Sequence, residues 1–304
     1  MRRLLAAALL VVLPSVASAG ARQDITDLRH GRTSTRQQFH GWTASGHAVA
    51  QSLVCSEGGE LSCFASIEQS IVGTTDRATM LWQSTDTLYV DPDSTDPKGP
   101  VSMAEAKAFI RTEAETLDGL GPLEPGTPIA TPREAFGTIG GESTRVYIRS
   151  TPHPVFEDSM RLYIAVQGPR GASVDLERLS NEPWTIDHER VVDANLSPDG
   201  STVWVAMHYT DGVMCWDGED LQFAVADRAQ VRAKLANAAG LRAYREGELS
   251  EAYDRFVDAT SEDPSLVWGW YNRGAVESRR GDTAAAADSL GRALALDPKK
   301  RERA

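Results

Sequence analysis

The sequence predicts an α+β chain in two parts: an antiparallel β-rich region over residues 39–226 followed by an all-helical module over residues 227–300. Two observations carry this. Short, often alternating apolar runs bounded by turn residues fill the first part, and from Asp227 onward the pattern changes to helical spacing with an internal repeat. A third, the composition of 41% hydrophobic and 24% charged residues over 304 positions, is that of ordinary folded protein with room for two domains.

The first nineteen residues form a separate element. Arg2 and Arg3 precede an apolar run from Leu4 to Leu13, and Ala17-Ser18-Ala19 supplies small residues for cleavage. This three-part pattern is that of a secretory signal peptide over 1–19, and the run falls short of the roughly 18 apolar residues a membrane span needs. The expected location is therefore periplasmic or secreted, with no membrane insertion after cleavage. Residues 20–38 are polar and read as a flexible arm.

Export implies an oxidising compartment. Cys55 and Cys63 flank Gly58-Gly59, a turn able to bring two strand ends together, so they are expected to form a disulfide, the alternative being buried free thiols. Cys215, between Met214 and Trp216, reads as a buried thiol in a strand.

Within the β-rich part, runs such as "HAVAQSLVC", "TRVYIRS", "MRLYIAVQ", "STVWVAMHY" and "LQFAVA" are the predicted strands. Asp199-Gly200, Asp211-Gly212 and Asp217-Gly218 are hairpin signals, since a type I′ turn needs positive φ at both central positions. They divide the last strands into a four-stranded meander. One helix interrupts the series: "VSMAEAKAFIRTEAETL" begins with Ser102 and Glu105 as a capping box, and Phe109, Ile110 and Leu117 share one face that covers a face or edge of the sheet. Sandwich, open-sheet and propeller-like layouts all accommodate these strands.

Charge separates the two parts. Up to Ala226 there are 17 Lys+Arg against 30 Asp+Glu, and from Asp227 to the end 14 against 13. An acidic first part repels nucleic-acid phosphates and anionic lipid surfaces, which argues against both as partners.

Motifs for catalysis are missing from the sequence: it has no Gly-x-Ser-x-Gly elbow, P-loop or Gly-x-Gly-x-x-Gly loop. The six histidines, His30, His40, His47, His153, His188 and His208, show no metal-ligand spacing. Asp91, Asp93 and Asp96 lie in a loop that departs from the EF-hand pattern because Asp96 stands where the turn glycine is required. No cofactor and no metal are expected, and a non-enzymatic role is preferred.

Two resemblances follow from the residues. "DANLSPDGSTVWVAMH", residues 193–208, resembles over 195–209 the Ser-Pro-Asp-Gly hairpin of TolB-type propeller blades, and "FHGWTASGHAVAQS" is a fainter copy of it. In the C-terminal part a shift of 34 residues places Gly240 on Gly274, Gly247 on Gly281, Ala252 on Ala286, Ala259 on Ala293 and Asp263-Pro264 on Asp297-Pro298. Period and residues resemble the tetratricopeptide repeat, a pair of antiparallel helices. Two units are visible, about 233–266 and 267–300. Trp270 stands at the family's tryptophan position in the second, whereas Ala236 replaces it in the first, where Phe256 fills the aromatic position of the second helix. Residues 301–304 are a charged tail.

The resemblance implies that the first helix of each unit lines a concave face for a protein or peptide. The facing positions are Lys234, Asn237, Leu241, Tyr244 and Arg245, then Trp268, Tyr271, Ala275, Ser278 and Arg279. Packing of Tyr244 and Trp268 on the β-rich part is the alternative. Two units are one short of the usual minimum for independent stability, so the module must bury its ends on the β-rich part, on a partner or by self-association. The expected function is protein–protein interaction or scaffolding in the cell envelope; the alternative gives a ligand-binding or enzymatic role to the β-rich part and leaves the helices as a structural cap.

Overall fold

The computed structural model describes residues 35–57, 61–71, 74–83, 115–129, 135–152, 160–178, 186–213 and 216–297. It has the expected α+β layout, with antiparallel sheets in the N-terminal part and four helices at the C-terminal end. The signal segment, most of the arm, the capping box at Ser102, the aspartates of 91–96, Cys215 and the tail lie outside the described residues. Of the predicted internal helix, residues 115–119 are described, and they are helical.

The first sheet is a meander of β1 (Thr35–Trp42), β2 (Ala48–Glu57), β3 (Leu61–Ile71) and β4 (Thr74–Gln83). It begins four residues before Phe39, where the sequence placed the start of the β-rich part. In the register of β2 and β3, Cys55 stands directly opposite Cys63. Three short strands follow, β5 (Thr127–Pro128), β6 (Thr138–Ile139) and β7 (Glu142–Ser143). Then come β8 (Arg145–Pro152), β9 (Met160–Gln167) and β10 (Ser173–Arg178), which form a second sheet in the order β10-β9-β8. A third sheet contains β11 (Ile186–Leu196), β12 (Thr202–Val213) and β13 (Trp216–Asp227), with β5 added beside β11.

This third sheet is the middle layer, and the sequence of β12 shows why. Successive strand residues point to opposite faces, and here both sets are apolar. Trp204 and Ala206 pack with Phe223 against Trp42, Ala48 and Ala50 of the first sheet. Val203, Val205 and Met207 pack with Ala224 and Ala226 against Ile148, Leu162, Ile164 and Val166 of the second. A strand covered on both faces loses its polar alternation, hence the unbroken "VWVAM".

The hairpin signals need one correction. Asp199-Gly200 is a turn, but Asp211-Gly212 and Asp217-Gly218 lie inside β12 and β13, where Asp211 pairs with Gly218 and Gly212 with Asp217. The pairing set by the buried middle of the two strands continues outward without a shift, so the two dipeptides face each other and neither forms the tip. The expected four-stranded meander is thus three longer strands.

The β11–β12 turn explains its own residues. Gly200 has φ 71°, and its N–H donates to the Ser197 carbonyl at 2.8 Å. The Asp199 carboxylate accepts from the Ser197 hydroxyl at 2.5 Å and from the Ser201 N–H at 3.0 Å. The fainter copy at Thr43–Gly46 makes the same closure, Gly46 N–H to the Thr43 carbonyl at 2.9 Å with Gly46 at φ 82°. The Ser197 hydroxyl and the Ser201 N–H and hydroxyl hold the Asp199 carboxyl down at about 2, below the ordinary aspartate value of about 3.9. With the folded pKa depressed, the stabilisation is fully present above about pH 4 and is lost as pH falls through about 2. Asp199→Asn should therefore flatten stability against pH in that window relative to wild type, as read by urea unfolding at several acidic pH values.

β13 runs into α1 (Arg228–Glu246) without a linker: Asp227 ends the strand and caps the helix, accepting from the Gln230 N–H at 2.8 Å. α2 (Leu249–Glu262), α3 (Val267–Arg279) and α4 (Thr283–Leu296) follow. α1 and α3 end alike. Gly247 and Gly281 are left-handed, at φ 85° and 86°, and the next residue donates back six positions, Glu248 to the Ala243 carbonyl at 2.9 Å and Asp282 to the Glu277 carbonyl at 3.0 Å. Gly240 and Gly274 are contact points: a Cβ would lie 2.7 Å from the Phe256 ring at the first and 2.7 Å from Leu290 Cγ at the second.

Candidate protein-binding face on the helical module

At 3.6 residues per turn, α1 presents three distinct sides. Val231, Leu235 and Ala239 enter the core shared with the second and third sheets, and Leu235 is fully buried. Ala233, Ala236, Gly240 and Ala243 form the small-residue side on which α2 closes, with Phe256 over Gly240. Lys234, Asn237, Leu241, Tyr244 and Arg245 form the third.

Around the docked side the contacts are specific. Arg232 donates to the carbonyls of Phe136 at 2.6 Å and Thr138 at 3.0 Å and pairs with Glu262 at 2.6 Å. Arg170 occupies the tip between β9 and β10 at φ 53° and engages Glu246, Glu248 and Glu251 at the turn between α1 and α2. Its own carbonyl accepts from Arg242. Nothing in the helical sequence signals these contacts, because their partners are backbone atoms about a hundred positions away.

The third side of α1 lies beside α3, and two contacts join them. Asn272 donates to the Asn237 side-chain oxygen at 2.9 Å, and the Arg279 guanidinium lies over the Tyr244 ring at 5.0 Å. Both pairs are offset by 35 residues, so the two helices run parallel. Leu241 and Tyr244 are half-buried against Ala243, Ala252, Phe256 and Val276, so Tyr244 packs within the helices. Ala275 is half-buried; Lys234, Arg245, Ser278 and Arg279 are exposed.

Trp268 and Trp270 part company although two positions separate them. They lie about 200° apart on the helix. Trp270 is buried, with its N–H donated to the Pro264 carbonyl at 2.9 Å and the guanidinium groups of Arg273 and Arg292 over its ring. Trp268 is 55% exposed and Tyr271 40%, and their rings meet edge to face at 5.8 Å. Packing of Trp268 on the β-layers is not what the structure shows.

Among the described residues no helix is long and apolar enough to cross a membrane, and no group of three or more His, Cys, Asp or Glu side chains is arranged to hold a metal ion. No family model matches the chain, and no curated protein sequence does.

Proposed function

We propose that the protein is an exported, non-enzymatic adaptor of the cell envelope that binds a protein or peptide through the joint face of α1 and α3, and that these helices with α2 and α4 form a tetratricopeptide pair. The observation that carries the reading is the exposed Trp268–Tyr271 pair on a module whose other sides are occupied. Large aromatic side chains supply much of the binding energy of protein interfaces. The matching ends of α1 and α3 and the matching contact glycines support the repeat assignment. Affinity capture from an envelope extract with the intact protein and with Trp268→Ala plus Tyr271→Ala tests it; the double variant should lose most of the captured material, and equal yields would remove the face from consideration.

The entry of Leu235 into the β core favours a second reading, in which the helices cap the β-layers and the ligand sits elsewhere. Under that reading the double variant behaves as wild type. The export reading carries a further expectation from the opposed cysteines. Protein recovered from an oxidising compartment and denatured should show one reactive thiol, that of Cys215, and a count of three would refute the Cys55–Cys63 bridge.

A further inference from the structure

Resting on the reading of this face as a binding site, we propose that its partner is an acidic segment carrying an aromatic or large apolar side chain about four or five residues from its carboxylates. The charges of the module sort by location. Arg170, Arg232, Arg255 and Arg273, which face the β-layers or the helix interior, all meet carboxylates. On the outer face, Lys234, Arg245 and Arg279 are in no ion pair among the described residues, and the ten positions of the face include no Asp or Glu.

Arg279 is held flat over Tyr244, which leaves the N–H edge of a planar guanidinium to reach a carboxylate in bidentate fashion. Because α1 and α3 run parallel at an offset of 35 residues, Arg245 is level with the end of α3, beside Arg279. The aromatic pair sits toward the other end of α3. From Tyr271 or Trp268 to Arg279 is about 12 to 16 Å at 1.5 Å per helical residue. An extended peptide covers that in about four or five residues at 3.3 Å each. The acidic remainder of the chain repels such a partner only at long range, and charges beyond about 8 Å are screened at physiological ionic strength, so the local cations govern contact.

Random dodecapeptides displayed on phage and selected against the full chain, with counter-selection against Trp268→Ala plus Tyr271→Ala, test the inference. Enrichment of acidic peptides with an aromatic or large apolar residue at that spacing is the expected result. Enriched peptides that are neutral or basic would overturn the acidic partner and leave the face as a binding site. No enrichment beyond the counter-selected pool would overturn both. For an enriched peptide, Arg245→Gln plus Arg279→Gln should weaken binding by about tenfold or more, with an unchanged thermal midpoint. If the arginines serve only to complement the negative ends of α1 and α3, the midpoint falls and the affinity stays, which would also overturn the proposal.

Discussion

Leu235→Ala is expected to destabilise the whole described structure, by about 3 to 4 kcal/mol, which is two to three orders of magnitude in the folded-to-unfolded ratio. Leu235 is fully buried, and its side chain fills the space above Gly168, where even a Cβ would come within 3.3 Å. The core it joins includes Leu162, Ile164 and Val166 of β9 and Val203 and Val205 of β12. A cavity there is lined by strands and helices alike, so it weakens both. Unfolding in urea, followed by far-ultraviolet circular dichroism for the helices and by tryptophan fluorescence, should give one transition displaced to lower denaturant by both probes. A helical transition that separates from an unmoved fluorescence transition would show that the helices hang on the β-layers as an independent module.

Gly126→Ala is expected to cost about 3 kcal/mol or more, through overpacking and a forced left-handed backbone. Gly126 has φ 67°, and a Cβ would lie 2.2 Å from the Leu196 carbonyl oxygen, 2.3 Å from the Asn195 side-chain oxygen and 2.7 Å from the Trp42 indole nitrogen. Those atoms are the joint between layers. The buried Trp42 indole donates to Asn195 at 3.0 Å, and β5 pairs with β11 through Thr127–Leu196 and Pro128–Asn195. Since the nearest atom belongs to the backbone, relief requires β5 to separate from β11 and the indole to lose its acceptor. Thermal unfolding of the variant should show a clearly lowered midpoint with loss of near-ultraviolet tryptophan signal; an unchanged midpoint would mean that β5 is not needed to close the sheet.

Local chemistry was the most legible part of the fold. Gly247 and Gly281 announce helix ends because a left-handed residue is required there and glycine takes it at least cost. Asp199-Gly200 announces a turn because Asp199 can satisfy Ser197 and Ser201 from its own side chain. Asp211-Gly212 misled because the same dipeptide has no power to end a pairing that the buried residues of β12 and β13 extend past it. In the binding face, the α1 and α3 positions were readable from the 34-residue register. Which tryptophan would be exposed was a matter of helical phase, and the register set Trp270 inward.

The amino-acid sequence by itself determined the class of the chain, the two-part division, the helix ends and the contact glycines, because each depends on residues within a turn or a repeat of one another. Only the tertiary structure decided that β12 is covered on both faces, that Leu235 makes α1 part of the β core, and that Trp268 and Tyr271 face outward beside unpaired cations. Those outcomes depend on contacts between residues from tens to more than a hundred positions apart, such as Trp42 with Asn195 and Arg232 with Phe136. No local pattern encodes such a pair, since the burial of each side chain is settled by the element that packs upon it.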